Sequence, residues 1–151
     1  MNSLVRTFPG ARFICLTREP EQAIPSAIAL MMTFSRIYQT PGDLERTRDR
    51  VQRVADCWYS YPLEILKKLN RNNYLVIDYK VLVSQTSHVV KGIYHHFGII
   101  ANEATDEALQ SEIRNSAAYI CSRSHTPEQY GMDVEALKAR YEGIYMKLTE
   151  H

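Results

Sequence analysis

The sequence predicts an α/β fold, a few parallel strands flanked by several helices, in one domain over residues 1–151. Three observations point there. Two short apolar runs, Arg12–Thr17 (RFICLT) and Tyr74–Ile77 (YLVI), are too brief for helices and rich in β-branched or aromatic side chains, as buried strands are. Stretches of helical period lie between and after them, the alternation that an α/β layer requires. The 151 residues contain no repeat, low-complexity tract or linker, so a single core suits them.

The elements follow in order. Pro9-Gly10 leads into the first strand, Arg12–Thr17. A helix is expected from Glu21 to Phe34, with Ile24, Ile28, Leu30, Met31 and Met32 as its apolar positions. Either Pro20 or Pro25 could stand in its first turn, where a missing N–H costs nothing. Pro41-Gly42-Asp43 breaks the chain, and Asp43 is a good cap for a long amphipathic helix through Val51, Val54, Ala55, Trp58, Ile65, Leu66 and Leu69. Pro62 is expected to bend or divide that helix. After the polar break Asn70–Asn73 comes the second strand, whose nearly continuous apolar run predicts cover on both faces. Ser84 or Thr86 can cap a helix running to Phe97, which Gly98 ends in a left-handed conformation. Residues 102–120 read as a weakly patterned helix, 122–133 as irregular, and Val134–Leu148 as a final amphipathic helix. Two strands are few for an open α/β sheet, so further strands are expected beside them.

Composition excludes several functions. Eighteen Lys and Arg against seventeen Asp and Glu leave a net charge of +1, without the basic field that nucleic-acid binding needs. The longest apolar stretch, Ala23–Phe34, is too short to cross a bilayer and is interrupted by Pro25, Ser26 and Thr33, so no membrane span is expected. No charged-then-apolar leader is visible, which makes a cytoplasmic protein the expectation. Cys15, Cys57 and Cys121 are odd in number and widely spaced, so they are expected as reduced thiols in the core rather than a disulfide or metal set. His95-His96 and His125 lack ligand-spaced partners, and no metal is expected. The mixed charges from Glu45 to Arg53 read as a solvated helix face. Trp58, Tyr59 and Tyr61 read as packing, or as the wall of an acceptor cleft.

The chemistry concentrates in Phe13–Pro20 (FICLTREP), with Ser26 eight positions after Arg18. A strand delivers an Arg at its carboxyl end, where α/β sheets bind ligands, and a helix begins just beyond it. Free N–H groups and the helix dipole favour an anion there, and an Arg fork can bond two phosphate oxygens. Ser26 would add a neutral donor.

Arg18 and Ser26, in this spacing after a strand and an acidic, proline-containing turn, resemble the second nucleotide-binding element of the sulfotransferases. The resemblance continues in Tyr74–Leu82 (YLVIDYKVL), similar to the family's next strand and the tyrosine after it, although Lys80-Val81 stands where Glu-Asp is common. Val89–Gly98 and Ser124–Gly131 resemble later family segments, so the likeness covers roughly residues 11–145. It implies a partial P-loop-NTPase-like fold corresponding to the carboxy-terminal half of a sulfotransferase. It implies that Arg18 and Ser26 hold the 3′-phosphate of 3′-phosphoadenosine 5′-phosphosulfate (PAPS), that Tyr79 approaches the adenine, and that a sulfuryl group passes to an unidentified alcohol or amine.

The family's glycine-rich phosphosulfate loop has no counterpart before Arg12, and no residue matches its catalytic base. A fragment, a split subunit or a non-catalytic interaction module with a degenerate fold would each account for this. Uncovered apolar sheet surface is the corollary, and with it a homo-oligomer or a missing amino-terminal half as partner.

Overall fold

In a computed structural model, which describes residues 2–40, 42–117 and 124–150, the two apolar runs form parallel strands. β1 (Phe13–Thr17) lies beside β2 (Tyr74–Asp78), with Phe13 opposite Tyr74 and Thr17 opposite Asp78. Side chains alternate across a strand, and one face carries Phe13, Cys15, Tyr74 and Val76 against the core. The buried Thr17 reaches across the pair, its hydroxyl donating to the Ile77 carbonyl at 3.3 Å.

The other face departs from expectation. Ile14 and Leu16 are 52% and 51% exposed, although Ile77, paired with Leu16, is buried. β1 is therefore a strand with one covered face, because α2 and α7, described next, pack only on the side of Phe13 and Cys15.

A short helix, α1 (Asn2–Thr7), precedes β1 and was not evident in the sequence. α2 (Pro20–Ile37) settles the proline alternatives: Pro20 is its first residue, and Pro25 lies within it, buried in the core. α3 (Leu44–Leu66) begins as expected, the Asp43 carboxylate accepting from the Arg46 amide at 3.2 Å. Pro62 does not divide it. The missing N–H removes one bond near the carboxyl end, and burial of Leu63, Ile65 and Leu66 carries the helix past it.

Between β2 and the next expected helix stands an unforeseen one, α4 (Tyr79–Ser84), capped by Asp78. Its presence displaces the predicted caps: Ser84 ends α4, and α5 (Thr86–Phe97) starts after Gln85 without a side-chain cap. Gly98 then closes α5 at φ 61°, as expected. α6 (Glu103–Ala117) covers most of the weakly patterned stretch; residues 118–120 of that expectation lie outside the described ones. The irregular stretch holds a short 3₁₀ turn, Pro127–Tyr130, and α7 (Val134–Thr149) closes the chain, capped by Asp133.

The core joins Ile24 and Ile28 of α2, Val51, Ala55, Tyr59 and Leu66 of α3, and Leu137, Tyr141 and Leu148 of α7. Each large apolar side chain buried here contributes roughly 1.5–3 kcal/mol. A polar clasp ties α3 to α7: Arg140 donates two bonds to Asp56, at 3.0 and 2.7 Å, and the Tyr141 hydroxyl adds a third at 2.8 Å. The thiols divide. Cys15 is half-buried, which pushes its pKa up, whereas Cys57 is exposed, contrary to the expectation of a core thiol; Cys121 lies outside the described residues. Among the described residues no helix is long and apolar enough to cross a membrane.

Candidate functional site

Parallel register brings the two strand ends together. Because Thr17 pairs with Asp78, the residues that follow, Arg18 and Tyr79, emerge side by side at the sheet's carboxyl end. The Arg18 guanidinium stands 5.0 Å from the centre of the Tyr79 ring, a cation–π contact. Its Nε is buried and has no hydrogen-bond partner. One terminal nitrogen reaches Gln22 Oε1 only at 3.5 Å, the outer limit of a hydrogen bond. An arginine at this place can also serve the fold alone, by capping sheet-end carbonyls or pairing with Glu19 or Glu21 on the surface. Glu19 instead accepts from the Gln22 amide, and among the described residues no carboxylate forms an ion pair with Arg18.

Arg18, Gln22, Asp78, Tyr79, Lys80 and Ser84 line a cleft of about 280 Å³. Ser26, on the second turn of α2, is half-buried and does not line it. The fold thus brings two of the three residues selected from the sequence into one cleft and sets the third nearby on the helix that starts there.

Two phenols brace this corner. Tyr59 of α3 donates to the Arg18 carbonyl at 2.7 Å. Burial pushes its pKa up to about 12, the negative charge of Glu21 adding to the effect and Arg18 opposing it. Tyr145 of α7 donates to Asp78, whose other oxygen accepts from the Lys80 amide at 2.6 Å. Desolvation first, and then the bond to that carboxylate, raise the Tyr145 pKa well above the ordinary phenol range. Sequence reading missed Gln22, Asp78 and Tyr145, and it missed the bond by which Tyr59 holds Arg18. Asp78 alone left a signal, a capping residue one position before a helix; the others act across 41 and 67 positions or through a side-chain pair that no motif marks.

A second, apolar cleft of about 440 Å³ adjoins the first, sharing Arg18 with it. Leu16, Ala27, Met31, Val54 and Trp58 are among its walls, and Trp58 is 76% exposed. Trp58 and Tyr59 border this cleft, Tyr59 also being packed in the core, whereas Tyr61 does not line it. The histidines are occupied structurally: His96 bonds the Tyr74 carbonyl at 2.9 Å, and His125 shares a bond with the Tyr130 hydroxyl at 2.9 Å. Among the described residues no group of three or more His, Cys, Asp or Glu could hold a metal ion.

Comparison with known proteins adds one finding. The model of a sulfotransferase family matches residues 1–103. No curated protein and no solved structure matches the chain. The match covers more than half of the chain and includes both strands, Arg18, Ser26 and Tyr79. The chain belongs to the sulfotransferase family.

Proposed function

We propose that this chain supplies the 3′-phosphate and adenine subsite for PAPS in sulfuryl transfer to an alcohol or amine, as an α/β unit corresponding to the carboxy-terminal half of a sulfotransferase. One observation carries the reading. Arg18 stands at the sheet's carboxyl end, beside an aromatic ring and a cleft whose walls include Glu19 and Asp78, and among the described residues its buried Nε has no partner and its guanidinium forms no ion pair. A half-buried guanidinium with a buried, unpartnered Nε favours an anion able to accept its hydrogen bonds. Phosphate has the charge and the oxygen spacing. Tyr79 gives a face on which a base can stack, and Ser26 adds a neutral donor from α2. The bound donor supplies the activated sulfuryl group; the chain's own residues hold the far end of the nucleotide. Catalysis by positioning suits a subsite of this kind, and no metal enters the reading.

The chain acts with a partner, a second copy or another polypeptide completing the sheet. Among the described residues β1 is hydrogen-bonded to one strand only, Phe13–Thr17 contains no charge or proline to guard the free edge, and Ile14 and Leu16 are half exposed. The free thiols of Cys15 and Cys57 suit a reducing, cytoplasmic setting.

Arg18→Ala tests the site. A charge-assisted contact of about 1.5–3 kcal/mol corresponds to a loss of roughly 10- to 150-fold in affinity for 3′-phosphoadenosine 5′-phosphate. Unchanged affinity in a variant that keeps its circular dichroism spectrum would exclude Arg18 from the phosphate site.

A further inference from the structure

The last helix lies beyond the family-matched residues, which end at 103, yet it bonds to one of the residues that line the cleft. Tyr145 donates its phenolic hydrogen to Asp78 Oδ2. Asp78 Oδ1 accepts as well, from the Lys80 amide at 2.6 Å and the Val81 amide at 3.4 Å. One carboxylate thus joins α7 to the first turn of α4, and between Asp78 and the Lys80 amide that it holds lies Tyr79, whose ring meets Arg18. The α7 side of the joint is firmly held. Tyr141 and Leu148, on either side of Tyr145, are each 1% exposed, and Tyr141 is bonded to Asp56.

We infer that Tyr145 is a positioning residue: by holding Asp78 it fixes the β2–α4 turn, and through that turn the angle at which Tyr79 faces Arg18. This rests on the nucleotide reading for its functional consequence, but its structural consequence stands apart from any ligand. A carboxylate bonded on one side only can turn about its own side-chain torsions, and the turn it caps loosens with it. A phenol bonded to a carboxylate is a charge-assisted donor, stronger than a neutral pair. The groups whose charge acts on Tyr145 are Asp78, Glu19 and Tyr59, all negative when ionised, so ionising the phenol would place like charges together and release the joint.

The experiment compares the whole chain with Tyr145→Phe, which keeps the ring and its packing, and with Asp78→Asn, which keeps the shape and weakens the acceptor. The first readout is amide hydrogen exchange without ligand. Residues 79–84 should exchange faster in both variants while the segments around Leu66 and Tyr141 keep their protection. Unchanged exchange at 79–84 overturns the inference. The second readout is affinity for 3′-phosphoadenosine 5′-phosphate, alone and in a Tyr79→Ala background. Tyr145→Phe should weaken binding about tenfold when Tyr79 is present and have little further effect when it is absent, the coupling expected of two residues that act as one unit. An equal loss in both backgrounds would mean a general structural role and would also overturn it. If the unaltered chain binds no bisphosphate while exchange at 79–84 still responds to Tyr145→Phe, the nucleotide reading fails and the positioning of the turn stands.

Discussion

Tyr59→Phe is the most revealing single change, because one hydroxyl joins the stability of the chain to the turn that carries Arg18. The Tyr59 hydroxyl donates to the Arg18 carbonyl at 2.7 Å, and the side chain is 9% exposed. Deleting it leaves the ring in place and removes the donor, at a cost of about 1–2 kcal/mol in the free energy of unfolding near neutral pH. For a chain of this size that is a fall of roughly 3–6 °C in Tm. The pH dependence is more specific. Tyr59 is raised to about 12 in the folded chain, whereas an unfolded phenol titrates near 10. The folded state therefore holds this proton more tightly. Its contribution is complete below pH ~10 and is lost as pH rises through ~12, a change of about 3 kcal/mol. Urea unfolding followed by circular dichroism, for both proteins from pH 7 to 12, isolates this group, since the other tyrosines cancel in the difference. The unaltered chain should lead by about 1–2 kcal/mol at neutral pH, and its lead should close and then reverse at the alkaline end. A constant gap would mean that Tyr59 ionises as freely in the folded chain as in the unfolded one, against its burial, and no gap at neutral pH would mean that the brace on Arg18 does not exist.

Two further outcomes follow from the same reasoning. The Arg140 hydrogen bond, then that of Tyr141 and the Arg140 charge, hold the Asp56 carboxyl below its ordinary range against some desolvation. Its contribution is present above pH ~4 and lost as pH falls through the lower folded value. Asp56→Asn should therefore flatten the acid side of the stability profile. Both side chains are partly exposed, at 39% and 50%, so the change should stay under about 1 kcal/mol; an unaltered acid limb would show the clasp to be idle. At the free sheet edge, Leu16→Lys places a charge where a partner would pair. Sedimentation should find the unaltered chain associated and the variant shifted towards monomer, and a chain that stays monomeric at high concentration would contradict the partner reading.

Local pattern carried much of the fold into the sequence. β1 and β2 were legible because short apolar runs of β-branched and aromatic residues have few alternatives, and Asp43 and Gly98 mark helix ends by chemistry that acts within one turn. What depends on distant neighbours was not. Pro62 reads as a break, but packing of Leu63 and Leu66 on the core outweighs one missing bond. α4 was hidden because Tyr79–Ser84 is too short to show a helical period, and its cap, Asp78, went unread. Cys57 sits among apolar neighbours in sequence, yet the helix turns it outward. At the site, Arg18 and Tyr79 could be selected from motifs, while Tyr59 and Tyr145 could not, since each belongs to a helix whose place beside the sheet is decided by the whole core.

The central claim is that the sheet's carboxyl end recognises a 3′-phosphate. A calorimetric titration of the purified chain with 3′-phosphoadenosine 5′-phosphate, against 5′-AMP as the ligand lacking that group, tests it most directly. Preference for the bisphosphate by tenfold or more, in keeping with a charge-assisted contact of about 1.5–3 kcal/mol, is the predicted result. Equal affinity for the two, or binding of neither, would contradict it.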